Sequence, residues 1–288
     1  MVSEKERDEK IGLLAGSGTY PIRVAKGFRS RGVQVVTLGV IGEASSELSE
    51  VSDVFKWTRP TRLAAAIRFF RKHGVTRATM AGKIRLERYF SRGLWLRNFP
   101  DYRLLRAAIP FFITHRKDCR CDSILGEICR EFAKDGIHFI PATDELPELL
   151  VNAGILTERE PTETEWRDIH FGWRLAQELG RWDVGQSVLV RNQTVVAIEA
   201  MEHTDEAIHR AGELSHRRGF VLVKTAKPSQ DMRFDVPTIG LGTLEALSQW
   251  GGTAIAIEAN RTLLVELRPG EFLEMANRLG IAVVAMTS

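Results

Sequence analysis

Cysteine is scarce in this chain of 288 residues, which has three: Cys119, Cys121 and Cys129. An odd number completes no disulfide framework, and the C-x-C pair at 119 and 121 lacks the second pair that a structural zinc site needs. Reduced thiols in a cytosolic protein are the expectation. Long apolar runs are also missing, since none approaches the roughly 20 residues that span a bilayer. The N-terminus, MVSEKERDEK, is charged where a signal peptide would be apolar, so any membrane contact is expected to be peripheral. There is no G-x-S-x-G elbow, no P-loop and no deaminase-type zinc signature, which leaves covalent catalysis without support. No two of His170, His203, His209 and His216 stand four residues apart with the intervening glutamate of a zinc-peptidase helix. His209 and His216 are expected on the surface of one helix.

What is present is the composition of a globular protein large enough for two cores, 44% hydrophobic and 27% charged. Charge is distributed unevenly. Residues 1–144 hold 26 Lys and Arg against 16 Asp and Glu, whereas residues 145–288 hold 14 against 21. From Lys56 to Arg120 there are 17 basic residues against Glu87, Asp101 and Asp118, interleaved with Phe69, Phe70, Tyr89, Phe90, Trp95, Phe99, Phe111 and Phe112. Such a stretch attracts anions: phosphates, nucleic acid or an anionic membrane face. A set of helices with solvated, Arg-rich faces would look the same.

Elements alternate along the first half. An apolar run at Ile11–Ala15 ends in a glycine loop, a helical pattern covers Tyr20–Arg31, and a β-branched run covers Val33–Val40. A basic amphipathic helix is expected at 60–72, a strand at 76–81, a helix at 122–134 and a strand at 137–140. This pattern predicts an α/β fold, with an N-terminal Rossmann-like parallel-sheet domain over 10–143. An acidic connecting segment, 144–165, follows. The C-terminal domain, 166–288, is expected to be α/β with a mixed sheet, because two β-branched runs turn at Arg191-Asn192-Gln193 and strands and helices then alternate to the end.

Two segments could carry chemistry. The first turn, A-G-S-G-T-Y-P, places glycines and backbone N–H groups at a helix N-terminus, where the dipole favours an anion. A dinucleotide fingerprint would need glycine where the chain has Pro21 and an acid closing the second strand, so NAD is poorly supported. The loop Lys224–Gly240 packs Lys224, Lys227, Gln230, Asp231, Arg233 and Asp235 between a strand and a helix. Its two carboxylates, four residues apart, could hold a hard divalent ion, and its cations could answer a pyrophosphate. Of the other acids, Glu199, Glu202 and Asp205 cluster at a strand end, while Asp168 and Asp183 are expected to be solvated.

Five motifs together resemble, nearly end to end, the UDP-2,3-diacylglucosamine pyrophosphatases of the LpxI type. They are A-G-S-G-T-Y-P (15–21), M-A-G-K (80–83), D-S-I-L (122–125), A-I-E-A-M-E-H-T-D (197–205) and K-P-S-Q-D-M-R-F-D-V-P-T-I-G (227–240). The resemblance implies a hydrolase of lipid A biosynthesis that cleaves UDP-2,3-diacylglucosamine to UMP and 2,3-diacylglucosamine 1-phosphate with magnesium, or manganese in its place. It implies an essential aspartate in the loop, Asp231 or Asp235, as metal ligand, with Lys227 and Arg233 taking up charge on the phosphoryl oxygens. Substrate contacts are then expected from Gly16, Ser17, Gly18, Thr19, Gly82, Lys83, Asp122, Ser123, Thr143, Glu199, Thr204, Lys224, Gln230 and Thr238. The implied partners are a lipid-linked UDP-sugar and the inner-membrane surface, reached peripherally from the cytoplasm. A homodimer is a further expectation, and nucleic acid is not. The alternatives are a UDP-sugar-binding transferase and a non-enzymatic binder of anionic lipid or nucleic acid. The chain departs from the family pattern at Tyr20, usually leucine, and at His203, where glycine is expected.

Overall fold

The computed structural model describes residues 9–84, 99–112 and 121–288. Glu87, Tyr89, Phe90, Trp95, Asp118 and Cys119 of the basic stretch lie outside them. The chain divides into two compact units. One takes in the described residues up to Leu146 together with Asp231–Asp235, and the other takes in Pro147–Gln230 and Val236–Ser288.

In the first unit the strands are β1 (Lys10–Ala15), β2 (Gln34–Val40), β3 (Val54–Thr58), β4 (Arg77–Ala81) and β5 (His138–Phe139). They form a wholly parallel sheet in the order β3-β2-β1-β4-β5. The helices are α1 (Tyr20–Ser30), α2 (Leu63–Lys72), α3 (Tyr102–Phe112), α4 (Cys121–Ala133) and the single turn α5 (Ala142–Glu145). The first two strands are buried along nearly their whole length, as expected of strands with helices on both faces. Phe70 meets Phe132 at a tilt and Phe132 meets Phe139 edge to face in one core with Ile67, Val36 and Leu38, and Phe234 packs against this core from the far loop.

The second unit holds a mixed sheet of six strands, β6 (Gly154–Ile155), β7 (Ser187–Arg191), β8 (Thr194–Ile198), β9 (Phe220–Lys224), β11 (Gly252–Glu258) and β13 (Ala282–Met286). Their order is β6-β13-β11-β9-β7-β8, with β9, β11 and β13 parallel. The short strands β10 (Thr238–Gly240) and β12 (Leu263–Val265) form a separate parallel pair. Helix α6 (Glu163–Arg181) covers one face of the sheet. Helices α7 (His203–Leu214), α8 (Leu241–Trp250) and α9 (Glu271–Leu279) cover the other.

The β7–β8 hairpin turns as the β-branched runs predict, with Asn192 and Gln193 both at positive φ, 49° and 55°. Glutamine is poorly suited to that conformation, and a buried acid compensates. Asp168, expected in solvent, is 4% exposed and accepts from the backbone N–H groups of Asn192 (2.9 Å) and Gln193 (2.5 Å). Among the described residues no helix is long and apolar enough to cross a membrane.

Candidate functional site

In the first unit the glycine loop follows β1, the strand at which the sheet order reverses. In open α/β sheets, ligands bind outside the carboxyl ends of the strands at such a point. The loop is locked to the end of β4. Gly16 N–H donates to Ala81 O at 2.8 Å and Ser17 N–H to Lys83 O at 2.8 Å, while Lys83 N–H donates to Ser17 O at 3.2 Å. The Ser17 hydroxyl also donates to Lys83 O. These backbones approach so closely that a Cβ on Gly82, which sits at φ 85°, would stand 2.5 Å from Ser17 O. The amides of Gly16 and Ser17 are therefore engaged in the protein, and the exposed edge of this loop consists of Gly18, Gly82 and the Lys83 side chain. Thr19 is the N-cap of α1, with Pro21 in the first turn. Asp122 and Ser123 lie in the first turn of α4, and Thr143 is buried in α5.

Asp231–Asp235 form a tight turn grouped with this unit. Phe234 N–H and Asp235 N–H both donate to Asp231 O, at 3.2 and 2.9 Å. Arg233 grips the Asp231 carboxylate, its Nε 2.9 Å from Oδ1 and its Nη2 2.5 Å from Oδ2, and its guanidinium lies over the Phe234 ring. Hydrogen bonding from Arg233 holds the Asp231 carboxyl below its ordinary range, and the same bond raises the Arg233 pKa. Asp231 is therefore ionised at neutral pH. Cys129 of α4 is close enough to sense both charges, but burial pushes its thiol up to about 11, so it stays protonated and inert at neutral pH.

Lys227 and Gln230 stand at the second unit's end of the same loop. Lys227 Nζ pairs with Asp183 at 2.8 Å, so Asp183 is an ion-pair partner and not merely solvated. The side-chain oxygen of the buried Gln230 accepts from Lys227 N–H at 3.0 Å. Thr238, in β10, is exposed. Elsewhere in the second unit, three residues that the sequence singled out do meet. Lys224 Nζ donates to Thr204 Oγ1 at 3.1 Å, and Thr204 Oγ1 donates to Glu199 Oε1 at 2.8 Å, with all three buried. Glu202 turns away, accepting from Ala200 N–H and pairing with Arg210 at 2.7 Å. His203 occupies φ 72°, the left-handed conformation that a glycine would take there without strain. Ser187, on the strand beside Lys224, was missed from sequence because it reads as the ordinary first residue of a strand.

Among the described residues no three of His, Cys, Asp and Glu are grouped as a metal cage. The donor chemistry of Asp231 and Asp235 still suits magnesium, which takes one or two carboxylates and completes its shell with water and substrate phosphate.

The geometry defines a two-unit α/β protein with a glycine loop at a sheet switch point, an Asp–Arg turn and a buried polar cluster. Residues 10–149 match the family model for the LpxI N-terminal domain, and residues 152–284 match that for the LpxI C-terminal domain. The chain belongs to the LpxI family. It is 29% identical over 286 residues to the protein named UDP-2,3-diacylglucosamine pyrophosphatase LpxI of Caulobacter vibrioides, an alignment covering 96% of this chain and 97% of that protein.

Proposed function

We propose that this protein is a hydrolase that cleaves the pyrophosphate of UDP-2,3-diacylglucosamine to UMP and 2,3-diacylglucosamine 1-phosphate, a step of lipid A biosynthesis. The observation that carries the reading is the Q-D-x-R-x-D turn. It sets an ionised carboxylate, a guanidinium and a second carboxylate within five residues, in a chain related over nearly its whole length to a protein named for this activity. In the reaction, water adds to one phosphorus and the bridging oxygen leaves with the other phosphate.

Asp231 and Asp235 would hold magnesium, or manganese in its place, which when bound polarises phosphoryl oxygens and acidifies a bound water. The remaining work falls to the chain's own side chains. Arg233 grips Asp231 through Nε and Nη2 and would offer phosphoryl oxygens its Nη1 edge, and Lys227 adds a second cation. Both are already held by carboxylates, Asp231 and Asp183, so their positions are set before substrate arrives. Gly18, Thr19, Lys83 and Ser123 supply the substrate contacts of the first unit. The acylated substrate would be met at the cytoplasmic face of the inner membrane, where the basic stretch favours anionic lipid.

The test is incubation of the purified chain with UDP-2,3-diacylglucosamine, with magnesium or with EDTA, and mass spectrometry of the products. UMP and the lipid 1-phosphate are expected with the metal and without any added acceptor, which separates hydrolysis from transfer. Asp231→Ala and Asp235→Ala are each expected to lower turnover by about 100-fold or more with the fold intact. If both kept full turnover, the assignment of these carboxylates would fall.

A further inference from the structure

Glu258 is a buried acid that the proposed reaction leaves without a task. It is the last residue of β11 and is 4% exposed. Side chains alternate along a strand, so it shares the face of Ala256, a member of the apolar core beneath α6. A carboxylate at the edge of such a core is costly unless its oxygens are engaged, and both of them are. Oε2 accepts from Ala226 N–H at 2.7 Å, and Oε1 accepts from the Ser288 hydroxyl at 2.5 Å. Arg261 Nη1 stands 4.0 Å away. Thr225 faces Glu258 one step past the last pair of the β9–β11 ladder, yet its buried hydroxyl has no hydrogen-bond partner. The carboxylate is committed instead to the backbone of the next residue.

Ala226 is where β9 gives way to the loop. The strand ends at Lys224, and Thr225 N–H still donates to Gln186 O at 3.0 Å on the β7 side. On the β11 side the next amide meets the Glu258 side chain, and Lys227 follows directly. Lys227 N–H donates to Gln230 Oε1 at 3.0 Å, and its Nζ pairs with Asp183 at 2.8 Å. A lysine ammonium rides on a flexible four-carbon stem, so its place is set by its backbone and its ion partner. Three contacts define where Lys227 stands: Asp183 at the tip of the side chain, Gln230 on its own amide and Glu258 on the amide before it. Of the three, Glu258 alone belongs to a strand of the sheet, and a hydrogen bond to a carboxylate is stronger than one between neutral groups.

We infer that Glu258 is a positioning residue: by holding Ala226 N–H it fixes the backbone from which Lys227 reaches the pyrophosphate. This deepens the proposed hydrolysis and rests on it for the role of Lys227.

The test compares the wild type with Glu258→Met, which keeps the volume and removes the acceptor, and with Glu258→Gln, which keeps an acceptor oxygen. Lys227→Met and its combination with Glu258→Met complete the set, each checked for folding by thermal melt. Turnover of UDP-2,3-diacylglucosamine and amide exchange by mass spectrometry are measured on the full chain. Glu258→Met is expected to lower kcat about 10-fold with KM changed less than about 3-fold, because the Lys227 charge counts most as negative charge develops. Glu258→Gln should recover most of that loss. In the Lys227→Met background the same Glu258→Met change should lower kcat by less than about 2-fold, since a residue acting through Lys227 has nothing left to place. Exchange over residues 226–230 should quicken about 10-fold in Glu258→Met while β9 and β13 keep their protection. A Glu258→Gln variant as impaired as Glu258→Met, losses that add in full, or unchanged exchange over 226–230 in folded Glu258→Met would each overturn the inference. If Glu258→Met does not fold, Glu258→Asp, which withdraws the carboxylate by one methylene, is read against the same outcomes. If the wild type fails to hydrolyse UDP-2,3-diacylglucosamine while the exchange result appears, the hydrolase proposal falls and the anchoring of Ala226 stands.

Discussion

His203 shows how a single side chain can be out of keeping with its backbone. A residue with a Cβ in the left-handed region costs roughly 1–2 kcal/mol relative to glycine, yet His203, the first residue of α7, keeps that conformation at φ 72°. The next residue, Thr204, bonds both Glu199 and Lys224. Substituting His203→Gly is expected to raise stability by about 1 kcal/mol, seen as a melting temperature about 2–4 °C higher, with the Thr204 contacts unchanged. A lower melting temperature would mean that the imidazole makes contacts outweighing the strain. Gly82 is the opposite case. At φ 85° and with Ser17 O in the way of any Cβ, Gly82→Ala is expected to cost about 2 kcal/mol and to loosen the bridge between Ser17 and Lys83. Faster amide exchange at Ser17 and Lys83 would report it. The sequence marks 203 as an irregularity, a histidine where glycine is expected, but that the turn survives there is legible only in the backbone.

Among the elements, those with a clear period were readable and those without one were not. The β-branched runs VVTLGV and VVAI and the amphipathic pattern of residues 63–72 announce strands and a helix, and the structure has them within a few residues of the expected bounds. Strand β3, Val-Phe-Lys-Trp-Thr, was hidden because Lys56 and Trp57 are exposed at the sheet edge and read as part of the basic stretch. Helix α3 was hidden by Pro110 near its end. The start of α6 carries more than its apolar period reveals. Thr162 and Glu165 form a reciprocal capping box, and Arg159 makes a two-pronged pair with Glu165 at 2.8 and 2.9 Å. Burial works to raise the Glu165 pKa, but the Arg159, Thr253 and Thr162 contacts outweigh it and bring the group down to about 2. Because the folded pKa lies below that of the unfolded chain, this contribution is complete above the ordinary glutamate range and is lost as pH falls toward 2. Glu165→Gln is therefore expected to destabilise the protein by about 2 kcal/mol at pH 7 and by much less at pH 2. Denaturant melts at the two pH values check this, and an equal loss at both would show that packing, not charge, is what the substitution removes.

At the scale of the whole molecule the chain is organised less linearly than its charge pattern suggests. A basic first half and an acidic second half invite one boundary, and the structure does divide the chain at Leu146–Pro147. It also assigns five residues of the second half, Asp231–Asp235, to the first unit. Nothing in the local sequence announces this, because the decisive contact is long-range: Phe234 packs against the core built by Phe70, Phe132 and Phe139. The arrangement ties the Asp–Arg turn to the unit that bears the glycine loop, and Phe234, between Arg233 and Asp235, is one contact that holds it there. Removing a partly buried phenylalanine from such a core costs about 2 kcal/mol, less than the 3–5 kcal/mol of a fully buried one. Phe234→Ala is accordingly expected to speed amide exchange roughly 30-fold in β1 and α4, while β9 and β11 keep their protection. Turnover in the same variant should fall with the loss of order around Asp231. Exchange that quickens in β9 and β11 and leaves β1 and α4 untouched would show that the ring supports the second unit instead.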